Sequence, residues 1–158
     1  MNDSPINDSP IIVKQFYSAS PKQVWEAITE PLKMCQWYFE PIEKFEARIG
    51  FSTEFDVECE GTVYRHCWNV MEVEPEEKIV YRWCYADVPG ESMVTWSIAA
   101  CAKGGEAGKI NGSELTLSHE VIEPFPSDDP VFSRENGESG WQYFVNDQLK
   151  EFLERIET

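Results

Sequence analysis

The sequence predicts an α+β fold in which a curved antiparallel β-sheet wraps around a long C-terminal α-helix. Three observations lead to this prediction. One strand-like segment is followed by a capped pair of short helices, then by a long run of strand-like segments, and an amphipathic segment ends the chain. Because the helix has one apolar stripe and the sheet has one apolar face, the two bury each other when the helix lies across the sheet.

The first strand and the helical pair are marked by local signals. Ile11–Ala19 reads as a β-strand, and the two helices follow within Ser20–Pro41. Ser20 is placed to cap the first helix, with Pro21 at its first position and Gln23 completing an S-x-x-Q capping box. Pro31 ends this helix and opens the second one.

The central part of the chain predicts six more strands, separated by turn-forming residues. Phe51–Cys59 alternates apolar and polar side chains most clearly, and Glu60-Gly61 then supplies a tight turn. Lys103–Gly112 is Gly-rich and reads as an exposed hairpin loop. The predicted strands are Glu43–Ile49, Phe51–Cys59, Thr62–Val73, Lys78–Ala86, Ser92–Ala100 and Ser113–Ile122, with turns at Pro75–Glu77 and Asp87–Gly90.

The C-terminal segment predicts a helix with one apolar stripe. Three prolines mark Glu123–Gly137 as a loop. After it, apolar side chains recur at helical spacing, at Trp141, Phe144, Val145, Leu149, Phe152, Leu153 and Ile156.

Length and composition predict one globular domain. The chain has 158 residues, of which 42% are hydrophobic and 13% aromatic, enough to build a core. Residues 1–10 contain a polar, Pro-containing repeat, NDSPI, and predict a flexible tail before a single domain at 11–158.

The charge excludes several classes of partner. Acidic residues outnumber basic ones by 29 to 13, and no basic cluster interrupts them, so nucleic acid and anionic membranes are repelled. The sequence has no apolar run long enough for a membrane span and no secretory signal. Five cysteines without a regular framework fit reduced thiols, and we expect a cytoplasmic location.

Strand register indicates which side chains share the inner face of the sheet. A two-residue turn at Glu60-Gly61 places Phe55 opposite His66 and Thr53 opposite Trp68. A four-residue loop at Glu74–Glu77 then places His66 opposite Tyr85, Trp68 opposite Trp83 and Val70 opposite Tyr81.

These registers predict an aromatic space between the sheet and the C-terminal helix. We expect Trp37 and Phe39 at one end of it. It is either a cavity for an apolar ligand or a filled core, and aromatic density fits both. The remaining lining residues are Phe55, His66, Trp68, Tyr81, Trp83, Tyr85 and His119 on the sheet, and Trp141, Phe144 and Val145 on the helix.

The same segments, in the same order, resemble a known family. The chain is similar to the START-like (SRPBCC, helix-grip) superfamily and, within it, to the C-terminal domain of the heat-shock-protein-90 ATPase activator homologues. The matching pieces are ASPKQVWEAITEPLKMCQWY, VMEVEPEEKIVYRW, MVTWSI, SELTLSHEV and GWQYFVNDQLKEFLERIE. The resemblance implies a β-α-α-β-β-β-β-β-β-α order and an interior cavity for an apolar ligand. It also implies a small residue, often Gly, at the position of Trp68.

The resemblance leaves three functions open, because this fold serves many roles. The first is a non-catalytic module that holds a small apolar or amphipathic ligand, lipid-like or polyketide-like. The second is a cochaperone that binds heat-shock protein 90 and stimulates its ATPase, although full activators also use an N-terminal domain that residues 1–10 are too few to supply. The third is a cyclase or hydrolase, which needs polar groups converging in the cavity.

Few residues suggest chemistry. His66 and His119 fall on the inner face, where each is either a hydrogen-bonded core residue or a catalytic or ligand-orienting group. Cys67 lies opposite Cys84 on the outer face, as two thiols, a cross-strand disulfide or a weak metal site. No nucleotide motif or regular metal-ligand spacing is present, so no cofactor or metal is predicted. An outer-face pair of Asp56 and Arg65 is expected to be ordinary surface pairing.

Overall fold

A computed structural model describes residues 9–104 and 110–156 of the protein. Its strands are β1 (Ile11–Tyr17), β2 (Ser52–Cys59), β3 (Thr62–Glu74), β4 (Lys78–Tyr85), β5 (Val88–Lys103) and β6 (Ile110–Glu123). Its helices are α1 (Pro21–Thr29), α2 (Pro31–Trp37), α3 (Arg134–Gln142) and α4 (Leu149–Ile156), with a 3₁₀ turn at Pro130–Phe132 and a π-helical segment at Tyr143–Gln148. α3, the π-helical segment and α4 are continuous and form the C-terminal helix, 134–156.

The fold class predicted from the sequence is confirmed. The strands form one antiparallel sheet in the order β1-β6-β5-β4-β3-β2, and the C-terminal helix of 23 residues is the long helix of the fold. The two short helices follow β1, as predicted, and the Ser20 capping box is present, since the Ser20 side chain accepts from the Gln23 backbone N–H.

The inner-face registers are also as predicted. Phe55 pairs with His66 and Thr53 with Trp68 across β2 and β3, and His66 pairs with Tyr85 across β3 and β4. At the Glu60-Gly61 turn both residues have positive φ, the conformation that suits a two-residue hairpin.

The predicted four-residue loop between β3 and β4 is wrong, but the residue pairs predicted from it are present because a bulge offsets the difference in loop length. Glu74 pairs with Lys78, so the loop has three residues, and the register shifts between Val70 and Glu72. This irregularity leaves Met71 as the extra residue of a bulge. The shorter loop and the bulge cancel, and Val70 still pairs with Tyr81.

The predicted strand Glu43–Ile49 is wrong, and in the part of the chain that the structure describes the sheet has six strands rather than the seven that the resemblance implies. The segment uses backbone groups in local turns: the Arg48 N–H donates to Glu46, and the Phe51 N–H donates to Arg48. These two N–H groups therefore do not donate to the backbone of a neighbouring strand. The segment still contributes Phe45, which is buried, to the core.

The predicted loop Glu123–Gly137 ends earlier than expected, because the C-terminal helix begins at Arg134. Ser133 caps it, with its Oγ accepting from the Asn136 N–H at 3.1 Å. β5 and β6 are longer than predicted, and the turn between β4 and β5 lies at Ala86-Asp87, since Tyr85 pairs with Val88.

Two remaining predictions fall partly outside the described residues. Most of the predicted tail 1–10 and the middle of the predicted loop Lys103–Gly112 lie there. Within the described part, the carbonyls of Ser9 and Pro10 accept from Arg134. No helix among the described residues is both long and apolar enough to cross a membrane.

Candidate functional site

The candidate site is the space between the inner face of the sheet and the C-terminal helix. The residues predicted to line it lie on α2 and the segment after it, on β2, β3, β4 and β6, and on the C-terminal helix. On the strands they share one face because every second residue points to the same side. Most of them are buried in one hydrophobic core: Trp37, Phe55, Trp68, Tyr81, Trp83, Trp141 and Val145, with Phe39, Tyr85 and Phe144 packed against it.

Two side chains of the segment after α2 fill the centre of this space. We call Tyr38 and Phe39 the aromatic plug. The Tyr38 ring lies 5.4 Å from the ring of Trp68 and 5.0 Å from that of Phe144. The Phe39 ring lies 5.0 Å from Phe144 and 5.9 Å from Trp83. The space between sheet and helix is therefore occupied by the protein's own side chains.

The end of α2 holds the plug in place. The Trp37 indole N–H donates to the Ala27 carbonyl at 2.8 Å, and the Trp37 ring stacks on Tyr38 at 4.7 Å. The Tyr38 hydroxyl is 2.9 Å from the hydroxyl of Tyr81, which also accepts from Trp96. Trp37 and Phe39 were expected at one end of the space, but both lie within it.

Sequence reasoning missed Tyr38. The signal was its place in the run Trp37-Tyr38-Phe39 immediately after a helix, where three consecutive aromatic side chains cannot all face solvent. Trp68, where the resemblance implies a small residue, is 1% exposed and contacts the plug directly.

Three buried polar atoms in this interior have no hydrogen-bond partner among the described residues: the indole Nε1 of Trp68, the indole Nε1 of Trp83 and the Nδ1 of His119. Burial raises the pKa of Tyr85 to about 12, and the nearby Trp83 indole opposes part of this rise, but the two groups lack hydrogen-bond geometry. Buried donors are nearly always paired in native proteins, and an unpaired one costs about 1–3 kcal/mol.

The two histidines differ in their partners but share a neutral state. His66 Nδ1 lies 3.1 Å from the Tyr64 carbonyl, to which a neutral ring donates, and its ring stacks on Phe55. Burial lowers the pKa of His66 to about 4. Burial, with a smaller effect of the Arg134 charge, lowers the pKa of His119 to about 4. Neither ring carries a charge at neutral pH.

A π-helical segment forms the part of the C-terminal helix that covers the plug. Within Tyr143–Gln148, Phe144 packs against Tyr38 and Phe39, while Val145 is fully buried. The Tyr17 hydroxyl of β1 donates to the Val145 carbonyl, which ties this segment to the sheet. π-helical turns often occur at functional sites because they change the direction of side chains within a helix.

On the outer face of the sheet, the residue pairs across neighbouring strands are those predicted. Cys67 lies opposite Cys84, and both are free thiols. Arg65 donates to Asp56 at 3.0 Å, an exposed pair that contributes little stability. No group of three or more metal-binding side chains is found within residues 9–104 and 110–156.

Open volume also occurs on the surface. One groove of about 590 Å³ runs past Asp56, Tyr64, Arg65 and Asp129, where Tyr64 donates to Asp129. Another of about 620 Å³ lies beside Ser20 and Gly112. Neither contains the aromatic residues of the interior.

Comparison with solved structures supports the fold. The protein CV1439 from Chromobacterium violaceum is 23% identical, with a TM-score of 0.70, covering 92% of this chain and 97% of that one. CalU16 from Micromonospora echinospora is 23% identical, with a TM-score of 0.61, covering 94% of this chain and 79% of that one. Likeness at this level of identity shows the shared fold.

DynU16, a protein in the dynemicin biosynthetic locus, is 26% identical, with a TM-score of 0.66 over 93% of this chain. The match spans 48% of DynU16, about half of its length. A search of curated proteins gives no match.

A model of one protein family matches residues 18–154, from the start of the helical pair almost to the end of the C-terminal helix. This covers nearly all of the segments on which the resemblance rested. The chain therefore belongs to the family of activator of Hsp90 ATPase homolog 1-like proteins.

Proposed function

We propose that this protein is a non-catalytic binding module that holds a small apolar or amphipathic ligand between the sheet and the C-terminal helix. The ligand is lipid-like or polyketide-like and takes the place of the aromatic plug, Tyr38 and Phe39. The observation that carries the proposal is the set of unpaired buried polar atoms on Trp68, Trp83 and His119. A ligand with hydrogen-bond acceptors would pair these atoms, which the protein's own side chains leave unpaired.

The position of the plug supports exchange with a ligand. Phe39 is only partly buried and belongs to a segment outside the helices and strands, so it can move without breaking a ladder of hydrogen bonds. A planar ligand that replaces an aromatic ring keeps the contacts with Trp83 and Phe144. The relationship to DynU16, a protein of a biosynthetic locus, also supports a role with small molecules.

Indole resonances in NMR spectra test this proposal within one molecule. A ligand in the interior is expected to shift the indole N–H signals of Trp68 and Trp83. Among the described residues, Trp25 of α1 packs at the edge of the core without a ring contact to the plug, so its indole signal serves as an internal control and should move less. A uniformly ¹⁵N-labelled sample titrated with 2-acetylnaphthalene gives the readout. Unchanged Trp68 and Trp83 signals under saturating conditions would rule out an interior site.

The family name gives one specific reason to keep a second candidate. A cochaperone-like role would involve binding a heat-shock-protein-90 chaperone and stimulating its ATPase. The direct test measures the ATPase rate of such a chaperone with and without this protein. An increase that saturates with protein concentration would favour this role, and an unchanged rate would exclude it.

A further inference from the structure

We infer that the interior site selects neutral ligands carrying a carbonyl or hydroxyl oxygen and rejects carboxylates of the same size. This inference rests on the proposed function and specifies the ligand chemistry of the same site. It depends on two features of the interior: the unpaired polar atoms, and the absence of a buried permanent charge among residues 9–104 and 110–156.

The unpaired atoms favour an acceptor oxygen on the ligand. Trp68 and Trp83 pair across β3 and β4 with ring centroids 5.2 Å apart, and the His119 ring lies 6.5 Å from that of Trp83. An indole nitrogen only donates, so two of the three atoms require an acceptor. The neutral His119 ring either donates or accepts at Nδ1, which accommodates a carbonyl or a hydroxyl group equally well.

The interior offers no charge to balance a carboxylate. The buried polar or charged side chains of the described residues are Thr29, His66, Ser92 and Ser113, and none carries a permanent charge. Burial keeps both interior histidines neutral, with pKa values of about 4. A buried carboxylate without a cation is strongly unfavourable.

Arg134 is the cation whose charge acts on His119, because it contributes to the lowered pKa of that ring. Its guanidinium, however, donates to the carbonyls of Ser9 and Pro10 and lies 2.9 Å from the Glu138 carboxylate. These groups already use its donors and balance its charge. The formal charge of −16 on the whole chain adds a further, general repulsion of anions.

Three compounds with the same bicyclic ring system separate the two features. The probe 2-methylnaphthalene has no acceptor, 2-acetylnaphthalene has a neutral carbonyl, and 2-naphthoate has a carboxylate. Their dissociation constants for the wild-type protein are measured at pH 7.5, with the Trp68 and Trp83 indole signals followed in the same titrations. We expect 2-acetylnaphthalene to bind about tenfold more tightly than either of the other two, as a single hydrogen bond to an otherwise unpaired buried donor implies.

The possible results are distinguishable. Equal or tighter binding of 2-naphthoate would overturn the inference while leaving the proposed function intact. Equal binding of 2-methylnaphthalene and 2-acetylnaphthalene, with both indole signals shifted, would overturn the role of the unpaired atoms and again leave the interior site intact. If none of the three binds up to its solubility limit, the proposed function fails and the inference fails with it.

Discussion

The interior histidines show how one hydrogen bond separates two otherwise similar residues. Both rings lie on the inner face of the sheet, and burial lowers the pKa of each to about 4. His66 has a partner in the Tyr64 carbonyl, whereas the Nδ1 of His119 has none. His66 therefore fits the first alternative, a hydrogen-bonded core residue. His119 fits the other, a residue that orients a ligand.

This difference predicts opposite effects of the same substitution. We expect His119→Leu to raise the free energy of unfolding by about 1 kcal/mol, because it removes an unpaired buried polar atom. His66→Leu, the matched control, should lower that free energy by a similar amount, because it removes a hydrogen bond. Urea denaturation of both variants gives the comparison. A His119→Leu protein that is less stable than the His66→Leu protein would contradict this reading.

The histidines also predict a dependence of stability on pH. Their folded-state pKa values, about 4, lie below the unfolded value of about 6.5. Between these values the unfolded chain binds more protons, so stability falls as pH is lowered from 6.5 to 4. Each histidine contributes a slope of up to about 1.4 kcal/mol per pH unit.

A double variant isolates this slope from the many carboxylates. The His66→Leu, His119→Leu protein keeps the acidic residues, so subtracting its pH profile from that of the wild type leaves the contribution of the histidines. The difference should be constant above pH 7 and change steadily below 6.5. A difference that does not vary with pH would show that the histidines are not buried in their neutral form.

At the scale of elements, the C-terminal helix shows where sequence patterns mislead. The three prolines of Glu123–Gly137 predict a loop, yet the helix begins at Arg134, where the Ser133 side chain accepts from the Asn136 N–H in the first turn. The apolar stripe gives the buried face of this helix but contains no sign of the π-helical segment, which depends on packing against β1 and the plug.

Removing the Ser133 cap of the C-terminal helix is expected to cause a measurable loss of stability. We expect Ser133→Ala to lower the free energy of unfolding by about 1 kcal/mol, since the Asn136 N–H loses its acceptor. Ser139→Ala is the matched control, an exposed serine within the same helix, where alanine is at least as favourable. Equal stability of the two variants in urea would argue against a helix that starts at Arg134.

The strands were predictable for a different reason. Alternation fixes which side chains share a face, and a tight turn fixes the register, so the pairing of Thr53 with Trp68 follows from local signals. The pairing of Trp68 with Trp83 is as predicted only because the shorter loop and the Met71 bulge cancel. The path of residues 43–50, which places Phe45 against Trp68 and Tyr81, depends on contacts with distant residues, and so does the position of Tyr38. Such contacts leave no periodic pattern in the sequence.

At the scale of the whole molecule, the charge is the dominant feature outside the core. Twenty-nine acidic residues against thirteen basic ones give a formal charge of −16. The ion pairs Arg48–Glu46, Arg65–Asp56 and Lys150–Glu154 lie at the surface. Self-repulsion of this size opposes the compact state and is screened by salt.

We therefore expect sodium chloride to stabilise the fold. Raising its concentration from about 10 to about 200 mM shortens the Debye length from about 30 Å to below 10 Å, which weakens repulsion across the molecule. The midpoint of thermal unfolding, followed by circular dichroism, should rise by several degrees. Chloride is preferred to sulfate, because sulfate also strengthens hydrophobic burial. A falling midpoint would mean that attractive ion pairs outweigh the net repulsion.

The proposed function requires that the aromatic plug occupies a site that a ligand can take. The direct measurement is the affinity of the Phe39→Ala variant for 2-acetylnaphthalene, with Phe152→Ala, a buried phenylalanine of α4, as the control. A ligand entering Phe39→Ala no longer has to displace a ring, so we predict binding at least tenfold tighter than in the wild type and in the control. Affinity that is unchanged or weaker in folded Phe39→Ala protein would contradict the account and leave the interior as a filled core.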